Sequence, residues 1–226
     1  MVEESSAKPK LIYFNILGRG MKCRMLLKHA GIEFEEVAPG EGGYPEWKVM
    51  KENHPDLGGL PWYKDANGKI WNQSDAIMRA IANQAGYKTE DPWVQYEHDW
   101  LFETINDFNN TDGWGSPFFK GAEATQEMQD KSLDIIGKFF DKLQAKFASD
   151  GRAYGSGAKI GAADFVLLAL DVRYWSNPNT KAPEHAAKVK ELLDTRPAVK
   201  AVIEKIKGEN GLQAYIDGWY AKGCTM

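Results

Sequence analysis

The chain has 226 residues, enough for one large domain or two small ones and for a proper hydrophobic core in either case. Its 28 basic and 32 acidic residues leave a formal net charge of -4, which excludes the large single-sign field that nucleic acid or an anionic membrane surface needs and favours a small or neutral partner. The only two cysteines, Cys23 and Cys224, lie far apart without metal-ligand spacing, which excludes a disulfide framework and a zinc site and fits a reducing compartment.

The opening "MVEESSAKPK" lacks the apolar stretch of a signal peptide, and no run approaches the ~18 apolar residues of a membrane span. Residues 1-9 therefore read as a disordered start to a cytoplasmic protein. "KLIYFN" is strand-like, "GMKCRMLLKHAG" is a helix closed by Gly31, and "EFEEV" is a second strand, together one βαβ unit. "LPWYKDANGKIW" offers two short strands about Asn67 and Gly68, whose positive φ angles suit a tight antiparallel hairpin. "SDAIMRAIANQAG" is a helix with Ser74 as N-cap and Gly86 as its stop. The order βαβ then ββα predicts a single four-stranded sheet with helices against it, an α/β domain of the thioredoxin-like kind over residues 10-86.

A boundary is expected near "GYKTEDP", with 87-91 as linker and Pro92 opening an all-helical domain over 92-226. "PWVQYEHDWLFETINDFNN" spaces Trp93, Tyr96, Trp100 and Ile105 at helical intervals, and residues 122-147 repeat the pattern with Met128, Leu133, Ile136, Phe140 and Leu143; both predict buried helical faces. "AADFVLLALDVRYW" is apolar on nearly all sides, as expected of a central helix, and "APEHAAKVKELLDTRPAVKAVIEKIKG" reads as two helices parted at Pro197. The helical signal ends near 207, leaving Cys224 in a tail expected to be mobile.

Three constellations in the first domain could carry chemistry. Tyr13 stands at a strand end with Arg19 in the following loop, although strand packing and solvation account for either one alone. In "GGLPW" a proline opens a strand; an edge strand explains it, and the sequence leaves its isomer open. In "NQSDAI" Gln73 precedes a helix start at Ser74, which is either a plain cap or a carboxylate site made of free N–H groups and a hydroxyl. The order of the elements puts all three at one edge of the sheet.

These stretches, with "KIGAADFVLLAL" further on, resemble the cytosolic glutathione S-transferases of the tyrosine type, the alpha, sigma and mu classes, over about residues 8 to 207. The resemblance implies that architecture, a homodimer, and conjugation of reduced glutathione to hydrophobic electrophiles, with glutathione as co-substrate and no tightly bound cofactor or metal. It implies that the Tyr13 hydroxyl hydrogen-bonds the glutathione sulfur and favours the thiolate, and that Arg19 adds positive charge beside it. Leu60, with Gly59 beside it, would present its backbone to the cysteinyl part before a cis Pro61, and Gln73 and Ser74 would hold the γ-glutamyl end. Trp47 and Lys51 match the residues of the glycyl end. The loop before Trp47 is about three residues longer than in sigma relatives and "PDLGGLP" carries one extra residue, so Lys48 is the alternative. Asp107 matches the acid that reaches glutathione in the other subunit. Leu17 and Trp114 match the electrophile pocket, to which Trp175 and Trp219 are further candidates.

The sequence also departs from that pattern. Gly161 stands where the family has a capping Ser or Thr, with Asp164 three residues later, and Asn106 replaces an aspartate, so no metal-linked stimulation is expected. A cysteine nucleophile would fall at Leu17, which makes Cys23 a structural residue inside its helix. The alternatives are a glutathione-dependent isomerase such as a prostaglandin D synthase, and a non-catalytic carrier or crystallin-like protein on the same fold.

Overall fold

A computed structural model describes residues 7–225, so most of the expected disordered start lies outside the described residues. Residues 8 and 9 already belong to the fold: Lys8 pairs with Glu33 at 2.9 Å, and the Pro9 carbonyl accepts the Glu35 N–H at 2.8 Å. The chain divides into two compact units between Gly86 and Tyr87.

The first unit runs β1 (Lys10–Ile12), α1 (Gly20–His29), β2 (Glu35–Val37), α2 (Trp47–Asn53), β3 (Trp62–Lys64), β4 (Ile70–Trp71) and α3 (Ser74–Gln84). Its four strands lie in the order β2-β1-β3-β4, with β1 parallel to β2 and antiparallel to β3, and β3 antiparallel to β4. The parallel pair follows from a helical crossover, which returns the chain in the same direction, and the antiparallel pair from a short hairpin. α1 buries Met21, Cys23, Met25, Leu26 and Leu27 and ends as its glycine predicts: Gly31 takes φ 68° and the Ile32 N–H caps the Leu27 carbonyl at 3.1 Å.

Three local features differ from the sequence reading. In the hairpin only Gly68 takes positive φ (84°). The Asp65 carboxylate accepts the N–H groups of Asn67 and Lys69 at 3.0 and 2.9 Å, and the Gly68 N–H returns to the Asp65 carbonyl at 2.9 Å. An Asx-type turn with one left-handed glycine thus replaces the tight turn expected at Asn67-Gly68. The cap of α3 is Gln73 and not Ser74, because the Gln73 carbonyl accepts the first helical bond, from the Ile77 N–H at 2.9 Å. α2 was not foreseen as a helix; it has seven residues, no side-chain cap and a glycine-rich approach, so local signals are weak.

The second unit is helical: α4 (Pro92–Asn110), α5 (Ser116–Lys120), α6 (Gln126–Ala148), α7 (Ala162–Leu170), α8 (Pro183–Asp194), α9 (Pro197–Lys207) and α10 (Leu212–Ala221). α4 starts on the Asp91 carboxylate, which accepts the N–H groups of Trp93 and Val94, with Pro92 at its first position. α7, buried all round, widens into a π turn over Asp171–Trp175. There the Ser176 N–H reaches the Asp171 carbonyl at 2.8 Å, while the buried Asp171 carboxylate takes the Ser176 hydroxyl at 2.7 Å and Lys207 at 2.6 Å. The tail is not loose: α10 buries Leu212, Ile216 and Trp219, Tyr220 donates to the Val172 carbonyl at 3.0 Å, and Asn179 donates to the Tyr220 and Cys224 carbonyls.

The aromatic stripe of α4 faces outward, contrary to expectation. Trp93 and Tyr96 are 66% and 49% exposed, and Trp100 is half-buried. The inward face is Glu97, His98, Leu101, Phe102, Thr104, Ile105 and Phe108. Glu97 is tolerated inside because Lys146 and Arg152 each pair with it at 2.7 Å, and the Lys146 ammonium lies over the rings of Trp93, Tyr96 and Trp100.

The departure at Gly161 has a steric cause. A Cβ there would stand 2.8 Å from the Ser156 Oγ and 2.9 Å from the His98 Cε1, so a capping serine would require Ser156 or His98 to shift. Only the acidic half of the cap survives: Asp164 accepts the Gly161 N–H at 2.8 Å and the Ser156 N–H at 3.3 Å.

Candidate active site

The strand register gathers the three constellations at one end of the sheet. Ile12 faces Val37 on one side and Trp62 on the other, and Trp71 faces Tyr63. The residues just past those positions, Tyr13, Leu60 and Pro61, and Asn72 to Ser74, are therefore neighbours at the sheet's end. The Leu60–Pro61 peptide is cis. The approach to it is tied to β4, because the Asn72 amide donates to the Leu57 carbonyl at 2.6 Å.

Tyr13 is 8% exposed, and its hydroxyl accepts the backbone N–H of Arg19 at 2.8 Å. An oxygen that accepts this bond still has its own hydrogen to donate. The ring lies flat on the "GRG" backbone. A Cβ on Gly20 would stand 2.5 Å from the ring's Cδ1, and one on Gly18 (φ 38°) would stand 2.8 Å from Cε1 and 2.9 Å from Cζ. The only sequence signal for these two glycines is the G-R-G spacing beside a strand-end tyrosine.

Arg24 carries the loop that holds this geometry. It is 1% exposed, donates to the carbonyls of Phe14 (3.0 Å) and Ile16 (2.7 Å), pairs with Glu36 at 2.9 Å, and lies 5.5 Å from the centre of the Tyr13 ring. The Arg19 side chain, in contrast, is exposed and makes no ion pair among the described residues. Leu17 has no exposed surface and packs inward from the loop. Cys23 is fully buried and burial pushes its thiol up to about 12, which makes it inert as a nucleophile.

The Gln73 backbone has φ 64°, a left-handed value for a residue with a side chain, at the start of α3. Gln73 makes no side-chain cap, so the first N–H groups of α3 have no partner from the cap residue and point at the sheet's end. Trp47 packs against Trp62 (5.5 Å between ring centres) and Phe14 (6.4 Å). Lys51 reaches over the Trp47 ring at 5.6 Å, as residues four apart on a helix do; Lys48 lies on another face of α2. Gly59 is exposed beside Leu60.

In the second unit Asp107 is exposed on α4. Trp114 is 6% exposed and sits among Phe108 (4.5 Å) and Tyr174 (4.9 Å), so it is first a core residue. Its carbonyl takes the Ser132 hydroxyl, whose oxygen lies 2.9 Å from the His185 Nε2. Trp175 and Trp219, 0% and 2% exposed, are core residues too. Among the described residues no cluster of His, Cys, Asp and Glu could hold a metal ion, and no helix is long and apolar enough to cross a membrane.

Comparison with known proteins agrees with this geometry. Residues 9–83 match the family model described as the N-terminal domain of glutathione S-transferase. A glutathione S-transferase of Anopheles gambiae is 33% identical over 208 residues, covering 92% of this chain and 94% of that protein. The hematopoietic prostaglandin D synthase of Gallus gallus is 29% identical over 211 residues, covering 92% and 94%. Among solved structures, the Pi-class glutathione S-transferase of Onchocerca volvulus superposes with a TM-score of 0.76 at 23% identity, over 96% of each chain. The monomeric Na-GST-3 of the hookworm Necator americanus does so with 0.73 at 25% identity, over 94% of this chain and 97% of that one.

Proposed function

This chain belongs to the glutathione S-transferase family, and on that premise we propose that Tyr13 and Arg19 make it a glutathione transferase by holding bound glutathione as its thiolate. The observation that carries the reading is the bond from the Arg19 N–H into the Tyr13 hydroxyl, which fixes the phenol oxygen at the sheet's end and leaves its own hydrogen for a bound sulfur. A hydrogen bond donated to the charged form favours that form, so the thiol loses its proton to solvent more readily. The exposed Arg19 guanidinium adds charge of the right sign. The thiolate then attacks an electrophilic carbon, a C–S bond forms, and the leaving group, or in an addition the new carbanion, takes the displaced electron pair.

The tripeptide is held by the Leu60 backbone at its cysteinyl part, with Gly59 giving room, and by Gln73, Ser74 and the N–H groups of α3 at its γ-glutamyl carboxylate. Trp47 and Lys51 take the glycyl end; the shared helix face favours Lys51 over Lys48. The electrophile rests on apolar side chains of the second unit, Trp114 among them. Neither a metal nor a redox cofactor is needed. A homodimer completes each site with Asp107 of the partner subunit, and the setting is cytoplasmic detoxification. A monomer on sizing would remove Asp107 from the site.

Replacing Tyr13 with Phe tests the assignment. Glutathione affinity should stay within about twofold, the bound thiol's pKa should rise, and conjugation of an aryl halide should fall roughly ten- to hundredfold, the worth of a hydrogen bond to a charged group. Unchanged turnover would overturn it. The likeness to a prostaglandin D synthase supports a second reading, isomerisation of a prostaglandin endoperoxide, which product analysis separates. Glutathione binding without turnover of either kind would favour the carrier.

A further inference from the structure

If α3 receives the γ-glutamyl carboxylate, as proposed above, its sequence presents a conflict. Asp75, next to Ser74, stands in the first turn of α3. A carboxylate there suits the helix, because it faces the positive end of the macrodipole, but it spends the same field that would attract a ligand's carboxylate and repels that carboxylate directly. Lys22 resolves the conflict. It projects from α1 and closes an ion pair with Asp75, the two side chains being 12% and 30% exposed, so the pair is partly shielded from solvent screening. The helices meet at this point: one residue along α1, the Cys23 Sγ lies 3.9 Å from the Ser74 carbonyl.

We propose that Lys22 is a positioning residue for glutathione: by neutralising Asp75 it leaves the N-terminus of α3 free to take the tripeptide's γ-glutamyl α-carboxylate. Arg79, one turn along α3, is the other cation on that face, and an Asp75 already balanced by Arg79 would make Lys22 dispensable.

Glutathione binding to the full chain, measured by calorimetry at low and high salt, tests this with Lys22→Met, Asp75→Asn and the double variant. Lys22→Met should weaken binding roughly three- to tenfold at low salt, with the loss shrinking as salt screens the bare carboxylate. The double variant should return to within about twofold of wild type, since the repulsion goes with the acid. A glutathione analogue carrying an amide in place of the γ-glutamyl α-carboxylate should bind Lys22→Met and wild type alike. An unchanged Lys22→Met, or a double variant as weak as Lys22→Met, overturns the proposal. Should Lys22→Met fail to fold, Asp75→Asn still decides: binding at least as tight as wild type supports it and weaker binding overturns it. Wild-type protein that does not bind glutathione at all overturns the functional reading itself, and this inference with it.

Discussion

Tyr13 is fixed by what its neighbours lack. Gly18 and Gly20 offer bare backbone to its ring, and Arg24 holds the intervening carbonyls from beneath. A methyl group on Gly20, 2.5 Å from Cδ1 and 2.7 Å from Cγ, must push the ring aside, because neither atom belongs to a flexible chain end. Gly20→Ala should therefore cost about 1 to 3 kcal/mol in urea unfolding, as overpacking does, and should cut conjugation by more than that stability loss explains. The phenol, the guanidinium, the LP strand and the QS pair could all be read from the sequence because their order along the chain fixes the sheet end where they meet. The need for the two glycines could not, since it is set by a ring several residues away.

At the scale of elements, periodicity identified the strands and most helices, and it failed where two stripes competed on one helix. On α4 Trp93, Tyr96 and Trp100 form one stripe, and the buried one combines Leu101, Phe102, Ile105 and Phe108 with Glu97, His98 and Thr104. Cations make the mixed faces tolerable: Lys146 and Arg152 neutralise Glu97 inside, and Lys146 lies on the aromatic faces outside. A pattern scored by hydrophobicity carries no account of partners supplied by another helix. Leu101→Ala should accordingly cost about 2 to 5 kcal/mol and Trp93→Ala less than about 1, compared by denaturant unfolding. Equal losses would mean that the face is wrongly assigned. α2 carries little signal for another reason: it has seven residues, and tertiary packing supplies most of the stability of so short a helix.

Over the whole molecule, two buried groups titrate against each other. Burial holds His185 down at about 4 against an ordinary 6.5, with Lys188 adding to the effect, and burial raises Asp164 from 3.8 to about 6. The depressed histidine contributes stability that is complete above 6.5 and lost as pH falls toward 4; the raised aspartate contributes stability that is complete below 3.8 and lost as pH rises through 6. Acidification across this window thus removes one contribution while restoring the other, each of about 1 to 3 kcal/mol. Unfolding free energy should decline less on acidification in His185→Gln than in wild type, and more steeply in Asp164→Asn. The same Asp164 caps α7 through the Gly161 N–H, in a space already filled by Ser156 and His98. That crowding couples position 161 to its neighbours. A serine or threonine introduced at 161 would need Ser156 or His98 to move, so its effect on stability should depend on what occupies positions 98 and 156.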